Sequence, residues 1–198
     1  MIYSLLMRKI EVITVSGKPG SGKSTTARGA AERLGYSHFS SGDLFREIAA
    51  EQEMDVAEAN FAAEDDASID EAVDQRLRDI AEDDRKHRVA IDSRMAWHWM
   101  PGSYKVYLDL GLETAARRII NDMDEERLLA EHIPPDPSKY AEHLERRLLS
   151  EARRYRNLYG VDPYDFDNYD LVVDTEQHNA ESTIGLVVSE FRDWLQAI

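Results

Sequence analysis

The chain has 198 residues, enough to bury one substantial hydrophobic core, and a formal net charge of −15. This acidic balance argues against a nucleic-acid polymer as the main partner, because proteins that bind one need a basic face. The sequence contains no cysteine, which excludes a disulfide framework and a thiolate metal site, so a cytoplasmic location is expected.

The first segments predict a strand, a glycine-rich loop and a helix. The apolar start at 1–7 is too short for a membrane span or a signal peptide, and no membrane partner is expected. The β-branched run at 10–15 predicts a buried parallel strand, and 25–34 predicts a helix from its alanines at helical spacing.

The loop between them fills every fixed position of G-x-x-x-x-G-K-[ST]. In that motif, backbone N–H groups and a helix N-terminus converge on a phosphate. Lys23 is expected at the β- and γ-phosphates of ATP, and the Ser24 hydroxyl on Mg²⁺. The residues predicted to bind ATP are Gly17, Lys18, Pro19, Gly20, Ser21, Gly22, Lys23, Ser24 and Thr25.

Beyond the loop, strands and helices are expected to alternate. A second strand at 36–40 leads into a helix ending near residue 53, capped by Ser41 or Asp43. The acidic segment 56–84 has one apolar stripe and is predicted to be helical, with Asp70 and Asp74 interpreted as a solubilising pair. The later elements are predicted as a strand at 89–92, a strand at 104–110, a helical segment at 113–159 broken by prolines at 133–137, a strand at 169–174 and a helix at 184–195.

The alternation predicts an α/β fold of the P-loop NTPase class, with a five-stranded parallel sheet flanked by helices. We expect a single domain over 1–198. Its core is predicted at about 8–41, 87–120 and 158–198, with two helical excursions over the carboxyl edge of the sheet at about 42–86 and 121–157. Eight arginines between 117 and 156 form either solvated helix faces or a cluster that clamps phosphate.

Four further motifs resemble one family of enzymes. Residues 41–46 (SGDLFR) resemble the S-G-D-x-[FY]-R segment of nucleoside monophosphate kinases, and 91–94 (IDSR) resembles their D-G-R or E-G-R segment. The runs RRYRNLYGVD at 153–162 and YDLVVDT at 169–175 are similar to those of cytidylate kinases. An apolar residue, Met95, follows the arginine where the bacterial branch has aspartate. The resemblance is therefore to the compact, archaeal-type cytidylate kinases, over about 10–175.

The resemblance implies an ATP- and Mg²⁺-dependent transfer of phosphate to a nucleoside monophosphate, CMP or dCMP. The excursion at 42–86 becomes an acceptor-binding arm and the one at 121–157 a lid. Arg46 and Arg94 are expected to bind the α-phosphate of the monophosphate, with Ser41 and Asp43 lining the nucleoside pocket.

The remaining implied roles concern the transfer itself. Asp92 is expected to hold Mg²⁺ through water, and Lys23 to act in catalysis. Arg118, Arg147 and Arg154 are implied to be the lid arginines that close on the triphosphate. Trp97 and Trp99 either wall the nucleotide pocket or pack in the core.

Several positions depart from the family pattern. Asn121 and Asp122 stand where the family usually has another arginine, and loss of a transition-state arginine can cost up to ~10³–10⁵ in rate. Arg117 and Arg127 are candidates to replace it. In addition, Ser93 replaces a glycine and Leu148 an acid.

Two alternatives therefore stay open. The first is a P-loop kinase for another small acceptor, such as a shikimate-like alcohol. The second is a nucleotide-binding regulatory protein without transfer activity. A monomer is the expected state in each case.

Overall fold

The computed structural model describes residues 9–54, 68–83, 87–123, 128 and 133–197. Strands and helices alternate along these ranges, as the sequence predicts. In chain order the elements are β1 (Val12–Gly17), α1 (Lys23–Leu34), β2 (Ser37–Ser40), α2 (Ser41–Glu51), α3 (Ser68–Glu82), β3 (Val89–Asp92), α4 (Ala96–Trp99), β4 (Tyr104–Asp109), α5 (Leu112–Asp122), α6 (Pro137–Tyr159), a 3₁₀ turn (Phe166–Asn168), β5 (Leu171–Asp174) and α7 (Ala180–Gln196). The predicted segment 1–7, part of the helix at 56–84 and Arg127 lie outside the described residues.

The five strands form one parallel sheet in the order β2-β3-β1-β4-β5, which confirms the predicted fold. β1 is central: the chain crosses from it to the edge strand β2, returns to β3 beside β1, and then continues on the other side of β1 through β4 to β5. The crevice at such a switch point, outside the carboxyl ends of the strands, is where open α/β sheets bind ligands. Asp92 pairs with Val15, and Leu108 with Gly17, so the ends of β3 and β4 flank the glycine loop.

Helices cover both faces of the sheet. On one face α1 and α7 pack against β1 and β4, and a Cβ on Gly29 would lie 2.5 Å from Cδ1 of Ile184. On the other face Val73, Leu77 and Ile80 of α3 bury against β1 and β3. No helix within the described ranges has the length and apolar character that a membrane span requires.

The longest helix, α6, packs its first half on α5. Ala141 and Leu144 bury there among small residues of α5. The proline-rich break predicted before α6 is its start, because the Asp136 side chain accepts hydrogen bonds from the N–H groups of Ser138 (2.9 Å) and Lys139 (3.5 Å). The helix ends at Gly160, whose φ of 72° is left-handed.

One predicted helix cap and one predicted helix start are wrong. The cap of α2 is Ser40, the last residue of β2, which accepts a hydrogen bond from the Asp43 N–H at 3.3 Å. Its extended backbone makes the hydroxyl available, whereas Ser41 is already helical. α7 begins at Ala180 rather than at 184, because Asn179 caps it. The single-turn helix α4 was too short for a periodicity to predict.

Candidate active site

The glycine loop connects β1 to α1 in a backbone conformation that only glycine adopts readily. Gly20 and Gly22 have φ angles of 72° and 85°. At Gly17, with φ 146°, an added Cβ would lie 2.2 Å from the Leu108 carbonyl oxygen. The loop therefore depends on close contact with β4, and it opens onto the N-terminus of α1.

The two lysines of the loop have different neighbours. Lys23, the first residue of α1, donates a hydrogen bond from Nζ to the Lys18 carbonyl at 2.8 Å. Lys18 turns toward the end of β4, where its Nζ lies 2.6 Å from Oδ1 of Asp109 and donates to the Leu110 carbonyl at 3.0 Å. Lys23 is thus the lysine placed over the loop backbone.

The pKa of Lys23 is shifted by burial and by charged groups from other segments. Burial lowers the pKa of Lys23 to about 8, and the positive charges of Arg94 and Arg147 lower it as well. Asp92 and Glu151 act in the opposite direction. The loop lysine therefore lies within electrostatic reach of arginines from the β3–α4 loop and from α6.

Asp92 ends β3 beside the glycine loop and is 5 % exposed. Its Oδ2 has no hydrogen-bond partner among the described residues, and Nε2 of His38 is 3.8 Å away. Burial lowers the pKa of His38, although the negative charge of Asp92 opposes this, and so disfavours a charged ring beside Asp92. A buried carboxylate oxygen without a donor fits a site completed by a hydrated Mg²⁺, with the exposed Ser24 hydroxyl on α1 as a second oxygen ligand.

A cavity is walled by four separate segments, one of which carries Arg94, whose charge acts on Lys23 of the loop. Five residues predicted from the sequence meet there, namely Ser41 and Arg46 of α2, Arg94 of the β3–α4 loop, and Arg147 and Arg154 of α6. The rest of the wall consists of Gly42, Phe45, Val73, Asp74, Ser93, Met95 and Tyr155. Four arginines on one cavity of an acidic protein suit a ligand that carries phosphate.

Of the residues predicted for the acceptor pocket and the lid, Asp43 and Arg118 lie outside this wall. Asp43 is exposed, and its carboxylate accepts a hydrogen bond from the Arg46 guanidinium. Arg118 donates to the Thr175 carbonyl at 2.7 Å and reaches the Gly20 carbonyl at 3.5 Å, so it borders the glycine loop.

The structure describes most of the positions where the sequence departs from the family pattern near the proposed lid. Asn121 and Asp122 are exposed on the last turn of α5. Arg117 is exposed and donates to the Thr114 hydroxyl of its own helix at 3.0 Å. Arg127 lies outside the residues that the structure describes.

Glu151 of α6, which the sequence analysis did not single out, joins the arginines of the cavity. Its carboxylate is 4 % exposed and contacts Nε of Arg94 at 3.0 Å and Nε of Arg147 at 2.9 Å, and it accepts a hydrogen bond from the Tyr164 hydroxyl at 2.5 Å. Burial raises the pKa of Glu151, but the two arginines and Tyr164 outweigh it and lower the pKa to about 2. The signal in the sequence was an acid four residues after Arg147 and three before Arg154.

The interpretation of Asp74 as a solubilising surface residue is wrong, because its side chain is buried. It is 4 % exposed and accepts hydrogen bonds from Nε1 of Trp99 at 3.1 Å and from the Tyr159 hydroxyl. Burial raises the pKa of Asp74, and these two hydrogen bonds oppose the rise. The side chain of Asp70 lies outside the described residues.

The two tryptophans support the cavity from behind. Trp97 donates from Nε1 to the Arg94 carbonyl at 2.8 Å, and its ring packs edge-on against Tyr169 with centroids 5.6 Å apart. Trp99 holds Asp74. Neither residue belongs to the cavity wall, so both pack in the layer beneath it.

Comparisons with known proteins identify the family. The AAA domain family matches residues 16–157. A cytidylate kinase from Halorubrum lacusprofundi is 41 % identical over 181 residues, which are 90 % of this chain and 88 % of that protein. Another from Methanothermobacter thermautotrophicus is 33 % identical over 172 residues, 87 % of this chain and 99 % of the relative. The chain belongs to the cytidylate kinase family.

The cytidylate kinase family assignment confirms the resemblance found in the sequence, and with it a P-loop kinase. Among solved structures, a shikimate kinase from Bacteroides thetaiotaomicron aligns with a TM-score of 0.58 and 17 % identity, covering 93 % of this chain and 98 % of that one. At that identity the likeness shows the fold alone. The roles of individual residues in this member of the cytidylate kinase family stay predictions.

Proposed function

We propose that this protein transfers the γ-phosphoryl group of ATP to CMP, forming CDP and ADP. The observation that carries the proposal is the cavity with four arginines, two of which, Arg94 and Arg147, lie within electrostatic reach of Lys23 of the glycine loop. It gives an acceptor that already bears a phosphate a place opposite the triphosphate. Membership of the cytidylate kinase family supports CMP as that acceptor.

Phosphoryl transfer needs two phosphates held in line and positive charge around the transferring group. In this proposal Arg46 and Arg94 bind the α-phosphate of CMP. Lys23 binds the β- and γ-phosphates of ATP. One oxygen of the CMP phosphate then forms a bond to the γ-phosphorus as the bond to the β,γ-bridging oxygen breaks.

The transferring group itself is surrounded by the proposed lid arginines. Arg147 and Arg154 approach it from α6, and Arg118 from its position beside Gly20. Glu151 keeps Arg94 and Arg147 side by side, which lowers the cost of ordering them when phosphates bind.

Ser24 and Asp92 are the proposed residues of a Mg²⁺ site. The support is the buried Asp92 oxygen that lacks a hydrogen-bond donor among the described residues. When bound, Mg²⁺ neutralises negative charge on the β- and γ-phosphates.

We further propose that dCMP is accepted and that the protein is a cytoplasmic monomer. The cytoplasmic location rests on the lack of cysteine and on soluble nucleotide substrates. Size-exclusion chromatography with light scattering tests the monomer, for which a mass near 22.7 kDa is expected.

The test is ADP release from Mg·ATP with CMP, dCMP, UMP, AMP, GMP, TMP or shikimate as acceptor, against a reaction without acceptor. We expect the highest kcat/KM for CMP and dCMP, and no turnover in Lys23→Ala. Preference for another monophosphate would contradict CMP as the substrate. Turnover of shikimate alone would favour a P-loop kinase for another small acceptor. ATP binding without transfer to any acceptor would indicate a regulatory protein.

A further inference from the structure

We propose that Asp74 reads the base of the acceptor nucleotide, accepting a hydrogen bond from the 4-amino group of cytosine and thereby selecting CMP over UMP. This inference rests on the proposed function. It concerns a side chain that the family motifs quoted above do not include.

The wall of the cavity divides by chemistry. Its arginines suit phosphate, whereas Phe45, Val73, Met95 and Tyr155 offer apolar and aromatic surface that suits the faces of a base. Asp74 belongs to this second group by position, because it follows Val73 on α3. Among the described residues of the wall it is the only carboxylate.

Two donors that do not line the cavity hold the Asp74 carboxylate from behind. Trp99 donates to Oδ1 at 3.1 Å and Tyr159 donates to Oδ2. The guanidinium of Arg78 lies 4.0 Å from the centre of the Trp99 ring, and its positive charge also favours the charged form of Asp74. Since a carboxylate can accept about four hydrogen bonds, each oxygen keeps capacity for a further donor.

The environment makes that further donor favourable. Burial raises the pKa of Asp74, which means that its charged form is not fully compensated by the groups that surround it. A ligand N–H that reaches Oδ1 or Oδ2 stabilises the charged form. Perturbed, buried carboxylates on a cavity wall mark functional positions for this reason.

Cytosine and uracil differ at the atom that such a carboxylate would meet. Cytosine presents a 4-amino donor, and aspartate accepts from it in protein–nucleic acid contacts, whereas uracil presents a 4-oxo acceptor that the carboxylate repels. Specific side-chain contacts of this kind discriminate between bases by about 10- to 100-fold.

The experiment measures kcat/KM for CMP and UMP with wild type, Asp74→Asn and Trp99→Phe. In Asp74→Asn the amide can donate to the uracil 4-oxo group, so we expect the CMP-to-UMP ratio to fall by at least ~10-fold. Trp99→Phe removes a donor behind Asp74 without changing the cavity wall, so we expect it to lower thermal stability while the ratio stays within about 3-fold of wild type.

A measurement on wild type keeps the inference testable if Asp74→Asn does not fold. The monophosphate of the 4-deamino pyrimidin-2-one nucleoside lacks the donor, and its kcat/KM should be at least ~10-fold below that of CMP. Equal use of the two acceptors would overturn the inference.

The outcomes separate the inference from the proposed function. If wild type phosphorylates CMP but Asp74→Asn slows CMP and UMP equally, Asp74 is a structural residue and the inference fails alone. A ratio that shifts in Trp99→Phe but not in Asp74→Asn would also overturn it. If wild type phosphorylates no monophosphate, the proposed function fails first.

Discussion

The ATP side and the acceptor side of this active site are built in different ways. On the ATP side, one contiguous loop between β1 and α1 supplies most of the proposed contacts through backbone geometry and one lysine. On the acceptor side, the side chains come from α2, α3, the β3–α4 loop and α6. A site that binds its ligand through backbone groups of one loop is therefore encoded locally in the sequence, whereas a site that binds through side chains from several elements depends on tertiary packing.

Buried carboxylates are what organise the acceptor side. Glu151 joins Arg94 to Arg147, and Asp74 joins α3 to Trp99 and Tyr159. On the ATP side the comparable order comes from steric limits at glycine. The two sides should therefore fail differently when they are mutated.

Substitution of Gly17 by alanine should have the largest effect on stability and should disrupt the ATP side. The new Cβ would meet the Leu108 carbonyl oxygen at 2.2 Å, with φ at 146°, so β1 and β4 must separate. We expect the free energy of unfolding to fall by roughly 4 kcal/mol and ATP affinity to fall with it.

Denaturant unfolding and ATP titration measure the Gly17→Ala effects. Gly35→Ala is the matched control, because its φ of 69° is also left-handed but an added Cβ meets nothing within 4 Å, so a loss of about 1 kcal/mol is expected. Equal losses in both variants would show that backbone conformation, and not the contact with β4, limits residue 17.

Substitution of Glu151 by glutamine should weaken the acceptor side by a smaller amount. It leaves Arg94 and Arg147 without their buried counter-charge, so at pH 7 the free energy of unfolding should fall by about 3 kcal/mol. KM for the monophosphate should rise while ATP affinity changes little, in contrast to Gly17→Ala.

The pH dependence of unfolding sharpens the test of Glu151. Its pKa is about 2 in the folded protein against 4.5 as a reference, so its stabilisation is complete above pH 4.5 and is lost as the pH falls toward 2. The stability gap between wild type and Glu151→Gln should therefore close over that range. The exposed Glu145→Gln on the same helix is the control, and a gap that persists at pH 2 would contradict the ion-pair account.

The smallest expected effect is proton uptake by Lys23, a residue of the ATP side whose pKa depends on Arg94 of the acceptor side. Because burial and Arg94 lower the pKa of Lys23 to about 8, about half of the free protein carries a neutral lysine at pH 8. The charge of a bound triphosphate raises that pKa, so ATP binding should take up ~0.5 proton at pH 8 and less at pH 6.5.

Calorimetry in two buffers of different ionisation enthalpy measures this proton uptake. The uptake should disappear in Lys23→Met. If it persists there, another group takes up the proton and the local charge balance around Lys23 is not the cause.

The sequence predicted the fold correctly and assigned the ATP side to one contiguous motif, because both are local patterns. The β-branched run before Gly17 and the motif through Ser24 are contiguous, and Asp92 and Arg94 follow a short apolar strand whose parallel pairing sets their position. The meeting of Arg46, Arg147 and Arg154 on one cavity was anticipated only through the resemblance to a family.

The carboxylates of the acceptor side were missed for a physical reason. An acid near arginines on a helix has the same pattern whether it is solvated or buried, and its burial depends on partners distant in sequence. Tyr164 follows Glu151 after the end of α6, and Trp99 lies on α4, far from Asp74 in the chain. The cap of α2 was missed similarly, since Ser40 caps that helix only because β2 ends there.

The length of α6 has a mechanical consequence. At 1.5 Å per residue, its 23 residues form a rod of roughly 34 Å that begins against α5 and ends at Tyr159 beside α3. Arg147 and Arg154 are seven residues, nearly two turns, apart on this rod. They cannot be displaced separately without breaking backbone hydrogen bonds of the helix. Any rotation of α6 about its α5 end therefore moves the backbone of both arginines together. Because Arg154 lies farther from that end than Arg147, the same rotation displaces it by a larger distance.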